Sequence, residues 1–304
     1  MKRRIKTFLM GGGGGAPFLS VCLLTYKREK TVIRALETLL EQTYKDFEIV
    51  ISDNMSPDDT IPLLLKYLSE YQGAIPIRLY RSSQNKGVFL NRLTAMNYAR
   101  GALFVQADSD DFSMPQRLEK IVNAWNSFPQ KPSILATNAL AWYEQTKLAG
   151  PPVRDNAIEE VFYPPGDPIY GNSIAFGAGF VVTRDLFETF KEIIPEVNIK
   201  MEDVVFARRA ALHHGLIFRS EPIFYYGVST TSTSGGGVAG RIFIEDCINR
   251  YDLLLRDVAH ITPDHNVPMK LRHQIQYERK KWVVDAMGID CPLWKWPLYW
   301  IAMF

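Results

Sequence analysis

Apolar runs alternate with helical stripes along the first 125 residues of the chain. Four near-continuous apolar runs have the pattern of strands that are buried on both faces of a sheet. They are residues 18–24, 47–52, 77–80 and 102–107. Each run is followed by a predicted helix, and after the first run Val32, Leu36 and Leu39 recur at helical spacing. This alternation predicts an α/β fold with a mostly parallel sheet flanked by helices.

The pattern is less regular beyond residue 125. The segment "FGAGFVVT" (176–183) is expected to be a strand whose small residues let a ligand approach the backbone. The segment "GVSTTSTSGGGVAG" (227–240) has few bulky side chains, which predicts a flexible loop or lid. Further helices are predicted over 185–194, 200–215, 241–257 and 267–287.

The two ends of the chain differ in character. Residues 1–16 contain five consecutive glycines and too short an apolar run for a signal peptide, so we expect a flexible lead. Residues 241–304 are predicted to form a helical extension that ends in an aromatic tail with Trp294, Trp296 and Trp300. Such a tail suits a membrane interface as well as it suits packing on protein, and the sequence leaves both open.

Composition narrows the class of protein. Of the 304 residues 47% are hydrophobic and 22% are charged, which indicates a globular protein with a substantial core. A formal net charge of +2 does not favour a nucleic-acid partner. Three scattered cysteines are too few for a disulfide framework, and no run approaches the roughly 20 apolar residues of a membrane span. We expect a cytoplasmic protein, with peripheral contact at the inner membrane face through the tail as a candidate.

Polar clusters follow each of the four predicted strands. They are "TYKRE", "SDNMSPDDT", "SSQNKG" and "DSDD". The carboxyl ends of parallel strands share one edge of a sheet, where ligands bind in such folds. In the last cluster Asp108, Asp110 and Asp111 crowd three carboxylates into four positions, and such crowding calls for a positive partner or water. The candidates are a divalent metal, a neighbouring arginine, or simple solvation of an acidic turn.

A metal-bound nucleotide accounts for these polar groups together. The spacing Asp108-x-Asp110 can present oxygen ligands to Mg²⁺ or Mn²⁺. A cation held by one or two carboxylates completes its shell with water and substrate phosphates. Asp53 after the second strand and Arg92 in the third helix add groups that could hold a base, ribose or phosphate.

Five blocks of the sequence resemble, in order, the motifs of family 2 of the glycosyltransferases, which are inverting enzymes with a glycosyltransferase A fold. The resemblance is dense over residues 18–125 and thin beyond, apart from 201–210. The blocks are "SVCLLTYKRE", "LLEQTYKDFEIVISDNMSPDDT", "NKGVFLNRLTAMNYARG", "ADSDDFSMPQRLE" and "MEDVVFARRA".

The resemblance implies a Rossmann-like catalytic domain over residues 17–240. Its nucleotide-binding half would be 17–125 and its acceptor half, with the lid, 126–240. The substrates implied are a nucleotide-sugar donor, UDP-linked first of all, and a saccharide or lipid-linked acceptor, as in the synthesis of bacterial surface polysaccharides.

Roles also follow from the resemblance. Asp110 and Asp108 would hold Mn²⁺ or Mg²⁺, Asp203 would be the catalytic base, and Glu202 would contact or orient the acceptor. The nucleotide-binding positions implied are Thr25, Tyr26, Asp53, Asn54, Lys86, Arg92, Asp108 and Ser109, with Arg100 on a second family arginine. Asn54 stands where a second aspartate is usual, and Ser229 lies near the place of a histidine that can be an extra ligand.

Other interpretations compete with each of these roles. Glu202 and Asp203 also suit the first turn of a helix, where negative charge is favourable, and Lys86 also suits an exposed turn. His213 and His214 are explained by a helix end before Gly215. Arg208 and Arg209 are explained by the protein surface or by neutralisation of the acids one turn away. For the whole chain the alternatives are a sugar-1-phosphate nucleotidylyltransferase and a non-catalytic nucleotide- or carbohydrate-binding module.

Overall fold

The computed structural model describes residues 6–10, 17–154, 159–167, 177–228, 241–261 and 269–286. The strands are β1 (Lys6–Met10), β2 (Leu19–Thr25), β3 (Phe47–Asp53), β4 (Ile77–Arg81), β5 (Leu103–Asp108), β6 (Phe112–Ser113), β7 (Ile134–Tyr143), β8 (Leu148–Pro152), β9 (Glu160–Tyr163), β10 (Phe180–Thr183) and β11 (Leu216–Val228). The helices are α1 (Val32–Leu40), α2 (Thr60–Glu70), α3 (Gly87–Tyr98), α4 (Arg117–Ser127), α5 (Arg184–Phe190), α6 (Glu202–Leu212), α7 (Arg241–Ile261) and α8 (Met269–Ala286).

One mixed sheet runs through the described part of the chain, in the order β1-β4-β3-β2-β5-β10-β7-β11-β6. Its first half is parallel from β4 to β5, as the alternating pattern predicted. Beyond β5 the sheet becomes mixed: β10 is antiparallel to both of its neighbours, and β7 pairs with β11 in parallel. The predicted α/β sheet flanked by helices is confirmed.

Helices cover both faces of this sheet. Successive residues of the parallel strands point to opposite faces and are buried on both, which explains the continuous apolar runs. Ile49 and Ile51 pack in a core beneath α1, α2 and α4, while Val50 packs in a second core beneath α3, α5 and α6. Leu254 of α7 and Leu271 of α8 join this second core, so the C-terminal helices are part of it.

Several local predictions need correction. Residues 6–10 form a strand that pairs antiparallel with β4, although we expected the whole of 1–16 to be a flexible lead. Residues 177–179 form a 3₁₀ turn before β10 rather than part of a strand. The helix α4 begins at Arg117 without a side-chain cap, and the hydroxyl of Ser113 in β6 accepts a hydrogen bond from Arg117. The predicted lid (229–240), including Ser229, and the aromatic tail lie outside the described residues.

The C-terminal helices hold α6 through buried ion pairs. Arg209 bonds both carboxylate oxygens of Asp257 in α7 at 2.9 Å, and Arg208 bonds Glu278 in α8 at 3.0 Å. The expectation that these arginines lie at the surface was wrong, since both side chains are only 2% exposed. The C-terminal extension therefore positions the helix that begins with Glu202. In the described part of the chain, no helix has the length and apolar character needed to cross a membrane.

Replacing Asp257 with alanine should destabilise the fold by about 3–5 kcal/mol, because it leaves Arg209 buried without its charge partner. Asp252→Ala is a matched control, since Asp252 lies on the same helix but pairs with Arg279 in a partly exposed position. Its loss should cost less than about 1 kcal/mol. Urea denaturation of the two variants measures the difference. Equal stability of both would contradict a role for the Arg209–Asp257 pair.

Candidate active site

The register of the parallel strands gathers polar residues along one edge of the sheet. Arg81 lies opposite Asp53, Asp53 opposite Thr25, and Leu24 opposite Asp108. These positions are the carboxyl ends of β4, β3, β2 and β5. The backbone therefore brings the four polar clusters to one edge of the sheet, as the sequence predicted.

The acidic turn after β5 presents two of its three carboxylates outward. Asp108 and Asp110 keep 30% and 27% of their side chains exposed. The turn is closed by a hydrogen bond from the Asp111 amide to the Asp108 carbonyl at 3.0 Å. Asp111 is buried, and its carboxylate accepts the backbone amide of Gly227 in β11 at 2.9 Å. Asp108 and Asp110 are thus the outward pair, while Asp111 ties the turn to the second half of the sheet.

Arginines supply the positive partners that the crowded acids require. Arg28 donates to Asp110 at 2.8 Å, and Arg92 lies 3.5 Å from Asp108. Burial raises the pKa of the Asp110 carboxyl; Arg28 opposes that rise and Asp108 adds to it. The sequence left a divalent metal, a neighbouring arginine and solvation open as ways to compensate the crowded acids. The protein itself provides neighbouring arginines.

Arg92 connects the acidic turn with the start of α6. Its guanidinium donates to Gln106 Oε1 at 2.9 Å and to Glu202 Oε1 at 3.0 Å, and the side chain is 2% exposed. Gly177 makes room for this contact, because a Cβ there would lie 2.8 Å from Arg92 Nη2 and 3.1 Å from Glu202 Oε1. Gly177 thus admits a side-chain bridge.

Glu202 and Asp203 begin α6, and they differ in exposure. Glu202 is buried against Arg92, whereas Asp203 is half-buried and accepts only the amide of Val204, at 2.9 Å, among the contacts described. Burial raises the pKa of both carboxyls, and Arg92 opposes the rise in each. Asp203 is consequently the member of the pair that a bound molecule can reach more easily.

Asp53 and Asn54 are satisfied by the protein itself. The Asp53 carboxylate is fully buried, accepts the Ser56 amide at 3.1 Å and lies 3.4 Å from Arg81 Nε. The Asn54 side chain donates to Asn85 and accepts the Lys86 amide, both at 2.9 Å. These contacts tie β3 to the loops that follow β3 and β4. Base recognition by Asp53 or Asn54 stays a prediction, and it would require these contacts to be exchanged for contacts with the base.

The remaining predicted nucleotide positions border the same edge. Thr25 ends β2, and its hydroxyl is buried without a described hydrogen-bond partner. The hydroxyl of Ser109 in the acidic turn is also buried without a described partner. Tyr26 and Lys86 are half-buried in the loops that follow β2 and β4. Arg100 does not join them, because it lies before β5, at the opposite edge, and pairs with Glu48 at 3.0 Å.

The outward acids fit a hard divalent cation. Asp108 and Asp110 offer carboxylate oxygens only, a donor set that suits Mg²⁺ or Mn²⁺. Asp108 lies close enough to Asp110 to raise its pKa, so a bound cation would relieve repulsion between them. Such an ion would have to compete with Arg28 for Asp110.

Sequence reasoning missed three parts of this site. Arg28 and Gln106 were not assigned roles, although Arg28 lies inside a matched block and Gln106 directly precedes one. An aromatic cluster also lies beside the acidic turn: Phe112 stacks on Tyr225 with ring centroids 4.7 Å apart and meets Trp142 edge-on at 5.0 Å. The pairing of β6 and β7 with β11 creates this cluster, and no local pattern indicated that pairing.

Comparison with known protein families identifies the family that the residues of this edge resemble. The family model described as "Glycosyl transferase family 2" matches residues 20–135, which include the first four sequence blocks. Residues 20–135 are the segment of this chain that matches glycosyl transferase family 2. The resemblance inferred from the blocks is thereby confirmed for this family 2 segment, which contains the acidic turn and Arg92.

Curated relatives match over the same part of the chain. EpsE of Bacillus subtilis is 32% identical over 106 residues, which are 35% of this chain and 37% of EpsE. Chondroitin synthase of Escherichia coli is 32% identical over 122 residues, 40% of this chain and 17% of the relative. The glucosyltransferase WfgD of Escherichia coli, named for UDP-Glc and a GlcNAc-diphosphoundecaprenol acceptor, is 30% identical over 101 residues, 33% of this chain and 38% of WfgD. The matches thus span well under half of each relative.

Solved structures share the fold over most of the chain. S. aureus TarS in complex with UDP has a TM-score of 0.61 and 18% identity, with 92% of this chain and 77% of that chain covered. The mannosyltransferase PcManGT of Pyrobaculum calidifontis, in complex with GDP-Man and Mn²⁺, has a TM-score of 0.53 and 16% identity, covering 95% and 80%. The glycosyltransferase A fold therefore extends beyond the family 2 segment.

Proposed function

We propose that this protein is an inverting glycosyltransferase. It moves a sugar from a nucleotide-diphosphate sugar to the hydroxyl of a glycan or a lipid-linked saccharide. The observation that carries this proposal is the bridge made by Arg92, which lies 3.5 Å from Asp108 of the acidic turn and 3.0 Å from Glu202 beside Asp203. This bridge supports one connected site that contains the proposed donor-binding acids and the proposed base.

Inversion requires one base on the face of the sugar opposite the leaving group. Asp203 takes this role, because its carboxylate is the more exposed of the pair and accepts no described side-chain donor. It accepts the proton of the acceptor hydroxyl as that oxygen attacks the anomeric carbon. Glu202, held by Arg92, orients the acceptor from a fixed position.

The leaving diphosphate needs positive charge around it. Asp108 and Asp110 would hold Mn²⁺ or Mg²⁺, and such a cation supplies charge stabilisation to the departing phosphates. Arg28 now pairs with Asp110. If Asp110 exchanges Arg28 for another partner, the guanidinium becomes available to bind a phosphate oxygen. Lys86, half-buried in the loop after β4, is a second candidate for phosphate contact.

The names of related proteins favour particular substrates. WfgD is named for a UDP-linked donor and a diphosphoundecaprenol-linked acceptor, and TarS was solved with UDP and with UDP-GlcNAc. PcManGT was solved with GDP-Man, so a guanine donor is the alternative. We therefore propose a UDP-sugar donor and a role in assembling a surface polysaccharide at the cytoplasmic side of the membrane. Membrane contact through the aromatic tail stays a prediction.

The test is incubation of the protein with labelled UDP- and GDP-sugars, with Mn²⁺ and a panel of saccharide and lipid-linked acceptors. Transfer or slow hydrolysis of one donor, with inverted anomeric configuration in the product, is the expected result. Exchange of label into the nucleotide from pyrophosphate would instead identify a nucleotidylyltransferase. Saturable binding without turnover on any acceptor would point to a binding module.

The pH dependence of transfer should report the raised carboxyl pKa values. A base must be ionised, so kcat/KM should fall as the pH drops through the pKa of Asp203, which burial places above the usual value of about 3.9. Glu202→Gln removes a neighbouring negative charge and leaves Arg92 to stabilise ionised Asp203. The acid limb of the profile should then move to lower pH. An acid limb that stays in place would show that Asp203 is not the group that titrates.

A further inference from the structure

A second cluster of ligand-type side chains lies away from the acidic turn. Asp185 in the first turn of α5 and the pair His213–His214 after α6 bring a carboxylate oxygen and imidazole nitrogens within 4.8 Å of one another. Thr183 lies opposite Leu103 at the start of β5, so the cluster is at the amino edge of the parallel strands. The acidic turn lies at their carboxyl edge.

We propose that Asp185, His213 and His214 form a binding site for Zn²⁺ or a similar nitrogen-preferring divalent metal. This site is separate from the proposed transferase centre and does not depend on that function. Two imidazoles and one carboxylate are a donor set that Zn²⁺, Co²⁺ and Ni²⁺ prefer to Mg²⁺ or Mn²⁺. A water would complete the four ligands.

The distances between the ligand atoms fit a metal coordination sphere better than they fit direct hydrogen bonds. Nε2 of His213 and Nε2 of His214 each lie 3.6 Å from Asp185 Oδ2. Direct hydrogen bonds would bring these atoms to about 2.8 Å. Ligands about 2.1 Å from a tetrahedral zinc stand about 3.4 Å apart, which is close to the spacing present here.

The surrounding contacts hold the ligands in place. Ser133 Oγ bonds His213 Nδ1 at 2.8 Å and accepts the His214 amide at 2.9 Å. The Ser133 backbone also bonds to Gly215 and Thr183, so the two segments that bear the ligands are tied together. An imidazole bonded through one ring nitrogen presents the other to a metal, the arrangement found at most histidine metal sites.

The electrostatic setting also favours a cation. The histidines follow the last turn of α6, where the helix dipole places partial negative charge. His213 is 6% exposed, whereas His214 and Asp185 are 57% and 71% exposed. One ligand is therefore anchored in the fold, and the other two leave an open path for the ion. A bound metal would join α5 to the C-terminal end of the helix that begins with Glu202.

The test is titration of the nucleotide-free full chain with Zn²⁺ by calorimetry, alongside the absorption spectrum of the Co²⁺-loaded protein. We expect one saturable site, an intense tetrahedral Co²⁺ spectrum, and a Tm about 5 °C higher at about 100 times the Kd. His214→Ala and Asp185→Ala should each abolish these signals. Ser133→Ala should weaken binding about 10- to 100-fold, as loss of a supporting partner does.

Two controls separate this site from others. Asp110→Ala removes a ligand of the proposed transferase centre, and His273→Ala removes an exposed histidine of α8, so both should keep the Zn²⁺ site. Because Asp185 and His214 are exposed, their variants should fold, which circular dichroism checks. Absence of saturable binding, or equal binding by wild type and His214→Ala, would overturn the proposal. So would Zn²⁺ binding that is lost in Asp110→Ala and kept in Asp185→Ala.

Discussion

Replacing Asp203 with asparagine should lower sugar transfer by about 10²-fold or more, the usual scale of general base catalysis. Asparagine keeps the shape of the side chain and removes only its ability to accept the acceptor proton. Nucleotide affinity should be almost unchanged, because the base acts on the acceptor and not on the donor. Turnover measured beside UDP affinity, in the presence of Mn²⁺, separates these two effects.

Glu202→Gln is the matched control for this experiment. The two carboxyls are adjacent, yet Glu202 is buried against Arg92 while Asp203 is half-buried. The variant weakens an orienting contact but leaves the proposed base in place, so it should retain more activity than Asp203→Asn. Near wild-type transfer by Asp203→Asn would mean that the base is another residue.

Asp110→Ala should abolish the part of nucleotide binding that depends on a divalent metal. Only Asp108 and Asp110 of the acidic turn face outward, and one carboxylate alone cannot replace a lost direct ligand. A bound metal contributes several kcal/mol to charge stabilisation, so transfer should fall by more than about 10²-fold. Calorimetry with UDP, with and without Mn²⁺, measures the binding effect.

Asp111→Asn is the control for the acidic turn. Burial, together with Asp110 and Asp108, raises the pKa of Asp111 well above its usual range, so a neutral side chain is suited to this position. The asparagine side chain can still accept the Gly227 amide that Asp111 accepts at 2.9 Å. The effect on metal-dependent binding should be small. Unchanged UDP affinity in Asp110→Ala, or equal losses in both variants, would contradict the assignment of Asp110 as the direct ligand.

The parallel half of the fold could be predicted because its signals are local. A strand buried on both faces must be apolar at every position, and β2 and β3 meet this condition throughout. Once four such strands are parallel, their carboxyl ends must share an edge, which is enough to place Asp53 and Asp108 together. The blocks around these ends then indicated the family without reference to any distance.

The mixed half could not be predicted in the same way. The strand β11 contains Pro222 and register shifts on both sides of it, so its pairing with β7 leaves no regular pattern in the sequence. Arg208 and Arg209 were expected at the surface because arginine usually lies there. They are buried because Glu278 and Asp257, about 50 to 70 residues away, neutralise them.

The sequence by itself determined the order of strands and helices in the family 2 segment and the identity of the acids at its edge. Those properties depend on residue type and on spacing between near neighbours. Tertiary structure alone decided that Arg28 and Arg92 neutralise the acidic turn, that Gly177 admits the Arg92–Glu202 bridge, and that Asp185 meets His213 and His214. Coulombic attraction and hydrogen bonding act through space over a few ångströms, so contacts between residues far apart in the chain exist only after the sheet has brought them together.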